Sequence, residues 1–300
     1  MTATPPEGGT DYNWLPEGFT VREVQTNGVR LSAAVGGSGP VLVLLHGWPQ
    51  TGRAWARVMP TLAENHTVVV PDLRGTGSSE RPADGYLKTN QVKDMRGLVE
   101  GLGLSGPIVV VGHDIGAMVA FAWAVHRPED LTAAVVLDCF LPGVDLEDSM
   151  NVVKGGSWHF GFFAAPHIPE MLFAGHELEF VQATFGARTT PGTFTDEELE
   201  FYARSYTGHD RARGGFEHYR ALLEDGRENT AVLEKGKITT PLLLIGGKDS
   251  TGDQTIKALA PHAEKLTSYV ADTSHFVAEE APEWFVEKLT DFLANAGAKV

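Results

Sequence analysis

The stretch Val109-Val-Val-Gly-His-Asp-Ile-Gly-Ala-Met-Val-Ala120 reads as a buried strand, a sharp turn and a helix. Apolar residues and glycine run into His113-Asp114, and a small-residue segment of helical character follows. In the pattern Gly-x-Ser-x-Gly such a turn lifts a serine nucleophile above the end of a parallel strand, with a helix N-terminus behind it. Here the pattern is Gly112-His-Asp114-Ile-Gly116, and a carboxylate takes the raised position.

Outward from this elbow, short β-rich runs alternate with helical patterns. Strands are expected near Thr20–Gln25, Arg30–Val35, Val41–His46, Thr67–Pro71, Ile108–Gly112, Leu131–Asp138, Pro241–Gly246 and Thr267–Ala271. Two opening strands without a helix between them, then alternation, predict a mostly parallel eight-stranded sheet edged by a hairpin and wrapped by helices. Between Asp138 and Pro241 the alternation stops. "WHFGFFAA", "EMLFAGHELEFVQATFGA", "TDEELEFYARSY" and "GGFEHYRALLEDGRENTAVL" are all helix-like, and Thr195-x-x-Glu198 is a capping box. The expected organisation is a core in two parts, residues 1–142 and 234–300, with a helical cap at 143–233 inserted over the strand ends.

Composition bounds the function. At 300 residues, 42% of them hydrophobic and 21% charged, the chain can bury one large α/β core. A formal charge of −15 disfavours nucleic acid and anionic membrane surfaces, which are bound by clustered Lys and Arg. The single cysteine, Cys139, excludes an internal disulfide and a cysteine-rich metal site, and fits a reducing, cytoplasmic setting. The first residues show neither a basic n-region nor an apolar h-region, and no run of 18 apolar residues suggests a membrane span.

A serine at an elbow attacks a carbonyl. An aspartate there attacks an sp³ carbon, so the resulting ester carbonyl belongs to the protein and a second step must hydrolyse it with activated water. Substrates of that chemistry are epoxides or alkyl halides. The plainer alternative makes Asp114 an N-cap of the following helix, and three companions weigh against it. In "VLVLLHGWPQ" (41–50), a strand ends in a turn whose Trp48 N–H, together with the Ile115 N–H, is placed to form an oxyanion hole. In "ADTSHFVAEEAPE" (271–283), His275 follows the last strand and is the candidate general base. The carboxylate that orients it is either Asp138, ending "LTAAVVLDCF", or Asp249 in "LLLIGGKDSTGD".

With these residues in place the chain resembles the α/β-hydrolases of the epoxide hydrolase and dehalogenase group over nearly its whole length. "SWHFGFFAAP", "FYARSY" and "GGFEHYRALLED" are similar to the lid of the Cif-like bacterial epoxide hydrolases. That resemblance implies ring-opening donors at His159 and Tyr219, and it favours Asp138 over Asp249, with aspartate where the Cif type has glutamate. It also implies no cofactor and no metal, a small-molecule epoxide and water as partners, and an assembly for which a homodimer is open. Fluoroacetate dehalogenases carry arginines after the nucleophile, as in "HDRGGR", where this chain has Ile115 and Met118. Haloalkane dehalogenases usually carry tryptophan at the position of Ile115. A haloacid or haloalkane dehalogenase is therefore the second expectation, and a noncatalytic hydrolase-fold binding protein the third.

Overall fold

A computed structural model describes residues 12–296. Among these, eight strands form one sheet: β1 (Phe19–Thr26), β2 (Val29–Gly37), β3 (Val41–Leu45), β4 (Thr67–Pro71), β5 (Ile108–His113), β6 (Leu131–Leu137), β7 (Leu242–Gly247) and β8 (Leu266–Ala271). Their order is β1-β2-β4-β3-β5-β6-β7-β8. The antiparallel pairs are β1 with β2 and β2 with β4; every other pairing is parallel. Each strand lies within two residues of its predicted ends.

The middle of the sheet is apolar on both faces because helices cover both. All six residues of β5 are buried, as are all five of β3, which is why these strands read as continuous Val and Leu runs instead of alternating. Helices α1 (Met59–Ala63), α2 (Lys88–Gly101) and α3 (Ile115–His126) precede β6. Helix α3 is buried from Ile115 to Val125, the state expected of a helix apolar all round.

Between β6 and β7 the chain is helical: α4 (Leu146–Ser149), α5 (Trp158–Ala164), α6 (Ile168–Phe173), α7 (Glu177–Gly186), α8 (Asp196–Ser205), α9 (His209–Arg220) and α10 (Leu222–Leu233). Two stretches that read as single helical patterns are each divided. Gly175, with φ 84°, separates α6 from α7, and Ala221 separates α9 from α10. The capping box of Thr195 and Glu198 opens α8, with both reciprocal hydrogen bonds formed. The chain then closes with α11 (Gln254–Leu259), α12 (Val277–Glu280) and α13 (Pro282–Asn295). On α13, Phe285, Leu289, Phe292 and Leu293 form the buried stripe, at helical spacing.

The lid is fastened to the core by a buried ion pair. Lys88, at the start of α2, reaches Asp225 of α10 (Nζ to Oδ2 3.1 Å) and donates to the His218 carbonyl at 2.9 Å. Its own backbone N–H donates to Asp225 Oδ1 at 2.7 Å. Two charges out of water are tolerated only when paired and hydrogen-bonded in this way, and here the pair joins α10 to the start of α2.

Candidate active site

Loops at the carboxyl ends of β5, β6 and β8 carry Asp114, Asp138 and His275, the edge of an open parallel sheet where ligands bind. Asp114 sits at the tip of the elbow with φ 49° and ψ −120°. A side chain held in that backbone region costs about 1–3 kcal/mol and persists only where its surroundings enforce it. Close packing enforces it here. A Cβ on Gly116 would collide with the Leu45 carbonyl, and one on Gly112 with the Gly116 carbonyl, so the strand and helix meet at a separation only glycine allows.

The Asp114 side chain does not cap α3. Its Oδ2 instead accepts the Trp48 backbone N–H at 2.8 Å. The Ile115 N–H is the first amide of α3, one of the donors that a helix leaves without an internal partner. Among the described residues it makes no hydrogen bond to the carboxylate.

His275 is buried, and its Nδ1–H donates to Asp138 Oδ2 at 2.6 Å. Burial alone would raise the Asp138 pKa. The hydrogen bonds from His275, Ser250 and Thr251 outweigh it and hold the carboxyl below its usual range. Gly247 N–H (2.7 Å), Ser250 Oγ (2.5 Å) and Thr251 Oγ1 (2.6 Å) all donate to it. Asp249 is exposed and makes no hydrogen bond to His275; its backbone N–H goes to the Thr273 carbonyl. The His275 carbonyl accepts His113 Nε2–H at 2.9 Å. Burial, reinforced by the neighbouring His275, pushes His113 down to about 4, so that ring is a neutral prop.

Two cavities meet over Asp114. One, of about 200 Å³, is lined by Trp48, Phe163, Phe180, Tyr219 and Phe276; the other, of about 250 Å³, by Met118, Phe140, Phe160 and Ser250. Both include Asp114, His159, Arg188 and His275. Tyr219 of α9 is held by ring contacts, edge-on to Trp48 (centroids 5.9 Å) and Phe163 (4.8 Å). Its hydroxyl has no hydrogen-bond partner among the described residues. Burial, with the Asp114 charge adding to it, pushes that phenol well above its ordinary pKa. The His159 ring centroid lies 6.4 Å from that of Tyr219.

Arg188 is the residue that sequence reasoning missed. It follows α7 in "FGARTT", where a basic residue beyond a helix end reads as a partner of the helix dipole. No local signal places it in a cavity. It also corrects an inference from sequence: Ile115 and Met118 are indeed aliphatic and buried, yet the cavity does hold a guanidinium, supplied by the lid. Ser250 and Thr251, which hold Asp138, likewise read only as turn residues.

The model of the alpha/beta hydrolase family matches residues 42–288. The chain is 32% identical to a soluble epoxide hydrolase of Corynebacterium sp. (strain C12), over 92% of this chain and 98% of that one. It is 30% identical to a fluoroacetate dehalogenase of Burkholderia sp, over 93% and 95%. The crystal structure of wild-type Cfl2 from Burkholderia cenocepacia superimposes with a TM-score of 0.85 at 31% identity, covering 95% of this chain and 98% of that chain. With its eight-stranded sheet, elbow and helical lid, and with relatives among both epoxide hydrolases and dehalogenases, the chain belongs to the alpha/beta hydrolase family and is a hydrolase.

Proposed function

We propose that the protein hydrolyses epoxides to vicinal diols through an ester on Asp114, with residues 143–233 serving as the cap over a core formed by 1–142 and 234–300. The observation that carries this reading is the shared cavity of one carboxylate, Asp114, and two uncharged lid donors, His159 and Tyr219. Opening an epoxide leaves an alkoxide with no departing group. Such a reaction needs hydrogen-bond donors at the ring oxygen and a proton for it.

In the first step Asp114 attacks a ring carbon, the C–O bond breaks, and its electrons move to the ring oxygen. His159 hydrogen-bonds that oxygen and Tyr219 transfers its proton to it, leaving a phenolate. A phenol raised above its ordinary pKa lies closer to an alkoxide in basicity and gives up its proton only as the alkoxide forms. In the second step His275 takes a proton from water, and the hydroxide attacks the aspartyl carbonyl. The Trp48 and Ile115 amides hold the resulting oxyanion. Collapse expels the diol oxygen, which takes the proton from His275. The regenerated Asp114 carboxyl ionises and its proton restores Tyr219. Asp138 keeps Nδ1 of His275 protonated, so that Nε2 is the basic nitrogen.

A dehalogenase with the same nucleophile is the second reading, and Arg188 is the observation in its favour, since a guanidinium is a carboxylate partner. Against it, the Trp48 indole N–H is buried against Gly215 and is not presented to a halide in the cavity, while Ile115 offers only an aliphatic side chain. Diol formation from a panel of aryl and alkyl epoxides, run beside halide release from fluoroacetate and haloalkanes, tests the two. Turnover confined to the halides would remove the epoxide reading.

A further inference from the structure

Arg188 joins two parts of the site. Its carbonyl accepts the backbone N–H of His275 at 3.1 Å, and its Nη2 lies 3.2 Å from Nδ1 of His159. Among the described residues it forms no ion pair. Its one side-chain hydrogen bond to a described residue goes to an imidazole, inside a cavity that also holds the Asp114 carboxylate.

A guanidinium has donors and no acceptor, so the imidazole nitrogen it meets must carry its lone pair. Nδ1 of His159 is that nitrogen, which leaves the ring proton on Nε2. Left to itself a neutral imidazole takes either tautomer, and only one of them has an Nε2–H to offer. The charged and titratable groups around the ring are Arg188 beyond α7, Asp114 at the elbow, His275 after β8 and Tyr219 on α9. Burial, then the Arg188 charge, hold His159 down at about 3, against the opposing pull of Asp114. The ring is neutral throughout the physiological range, a donor and not an acid.

Resting on the epoxide reading above, we propose that Arg188 is a positioning residue for ring opening: by occupying Nδ1 it fixes His159 as the Nε2–H tautomer, the form that hydrogen-bonds the substrate oxygen. Proton delivery is thereby left to Tyr219, and the two lid donors have separate tasks. The carbonyl contact with His275 ties this arrangement to the loop of the base, so the lid residue is registered against the core residue that acts in the second step.

The test uses Arg188→Met, which removes the donor, and Arg188→Lys, which keeps one. Nitrogen chemical shifts of ¹⁵N-histidine-labelled protein report the tautomer and titration of His159 without any substrate. The native protein and Arg188→Lys are expected to show Nδ1 unprotonated, Nε2 protonated and no titration above pH ~5; in Arg188→Met the tautomers mix and the midpoint moves towards the ordinary value of about 6.5. In single turnovers Arg188→Met slows alkylation of Asp114 on the order of 10–100-fold, by comparison with the loss of a hydrogen-bond partner that orients a metal-bound imidazole. Ester hydrolysis stays unchanged, and Arg188→Lys recovers most of the loss. Native nitrogen shifts in Arg188→Met would overturn the proposal, as would a rate loss confined to epoxides bearing a carboxylate, which would assign the guanidinium to substrate charge. If no epoxide is turned over, the shifts still decide the positioning claim while the functional reading fails separately.

Discussion

Asp138 Oδ2 and His275 Nδ1 lie 2.6 Å apart although 137 residues separate them in the chain. Among the described residues, every other hydrogen bond to the Asp138 carboxylate comes from the last residue of β7 and the loop after it: the amides of Gly247 and Thr251 and the hydroxyls of Ser250 and Thr251. The carboxylate is thus held rigid and ionised, and the imidazole it holds has one tautomer. Asp249 belongs to that same loop but makes no hydrogen bond to the histidine.

Asp138→Asn is expected to cripple hydrolysis of the aspartyl ester, while Asp249→Asn leaves it nearly intact. Losing the orienting carboxylate costs about 10⁴ in turnover in serine triads, because the imidazole takes the wrong tautomer. Stopped-flow measurement of ester decay in each variant makes the comparison. A larger loss in Asp249→Asn would move the role to the β7 loop.

Tyr219→Phe and His159→Ala are expected to slow alkylation of Asp114 and to spare its hydrolysis. Each removes one donor to the developing alkoxide, a loss of about 10²–10³ in rate by comparison with a missing oxyanion donor. Burst kinetics separate the two steps. Alkylation at the native rate in both variants would reduce the pair to packing residues.

Gly116→Ala is expected to destabilise the fold by about 1–3 kcal/mol, the usual cost of overpacking a closely packed site. The added methyl group meets the Leu45 carbonyl, which is fixed by the β3 ladder to β5. Urea denaturation of native and variant protein measures the difference. An unchanged midpoint would show that the strand and helix separate freely at the elbow.

Glu279 gives a pH dependence that owes nothing to catalysis. Its buried carboxyl accepts from Gln50 (2.6 Å) and Tyr202 (3.2 Å), and burial pushes its pKa from 4.5 to about 8. The folded state holds the proton more tightly than the unfolded chain. Its contribution is therefore fully present below about 4.5 and is lost as pH rises through 8. Glu279→Gln is expected to flatten the fall in Tm between pH 5 and 8.5 relative to the native protein. Parallel Tm profiles for the two would show that the carboxyl is already ionised in the fold.

The fold was legible because its signals are local. The Val-rich runs that become β3 to β5 are buried on both faces, and Gly112 and Gly116 mark an approach of strand and helix too close for a Cβ. The elbow aspartate was visible for the same reason. The partner of His275 was less plain: the residue pattern alone leaves Asp138 and Asp249 both open, and only the resemblance favours Asp138, whose carboxylate the residues after β7 wrap while Asp249 is left exposed. Arg188 was beyond reach, because only the packing of α7 against the His275 loop carries it into the cavity. The divisions at Gly175 and Ala221 also escaped a reading by periodicity, which continues across both.

The central claim is that Asp114 forms a covalent ester with the substrate. Excess enzyme turning over one equivalent of epoxide in oxygen-18 water tests it directly, with the diol and the peptide containing Asp114 both analysed by mass. If the carboxylate attacks carbon and water then attacks the aspartyl carbonyl, the first diol carries no label and the Asp114 peptide gains it. In His275→Gln the alkylated peptide accumulates, because the ester forms and is not hydrolysed. Label in the first-turnover diol with none in the peptide would contradict the account, since water would then have opened the ring itself.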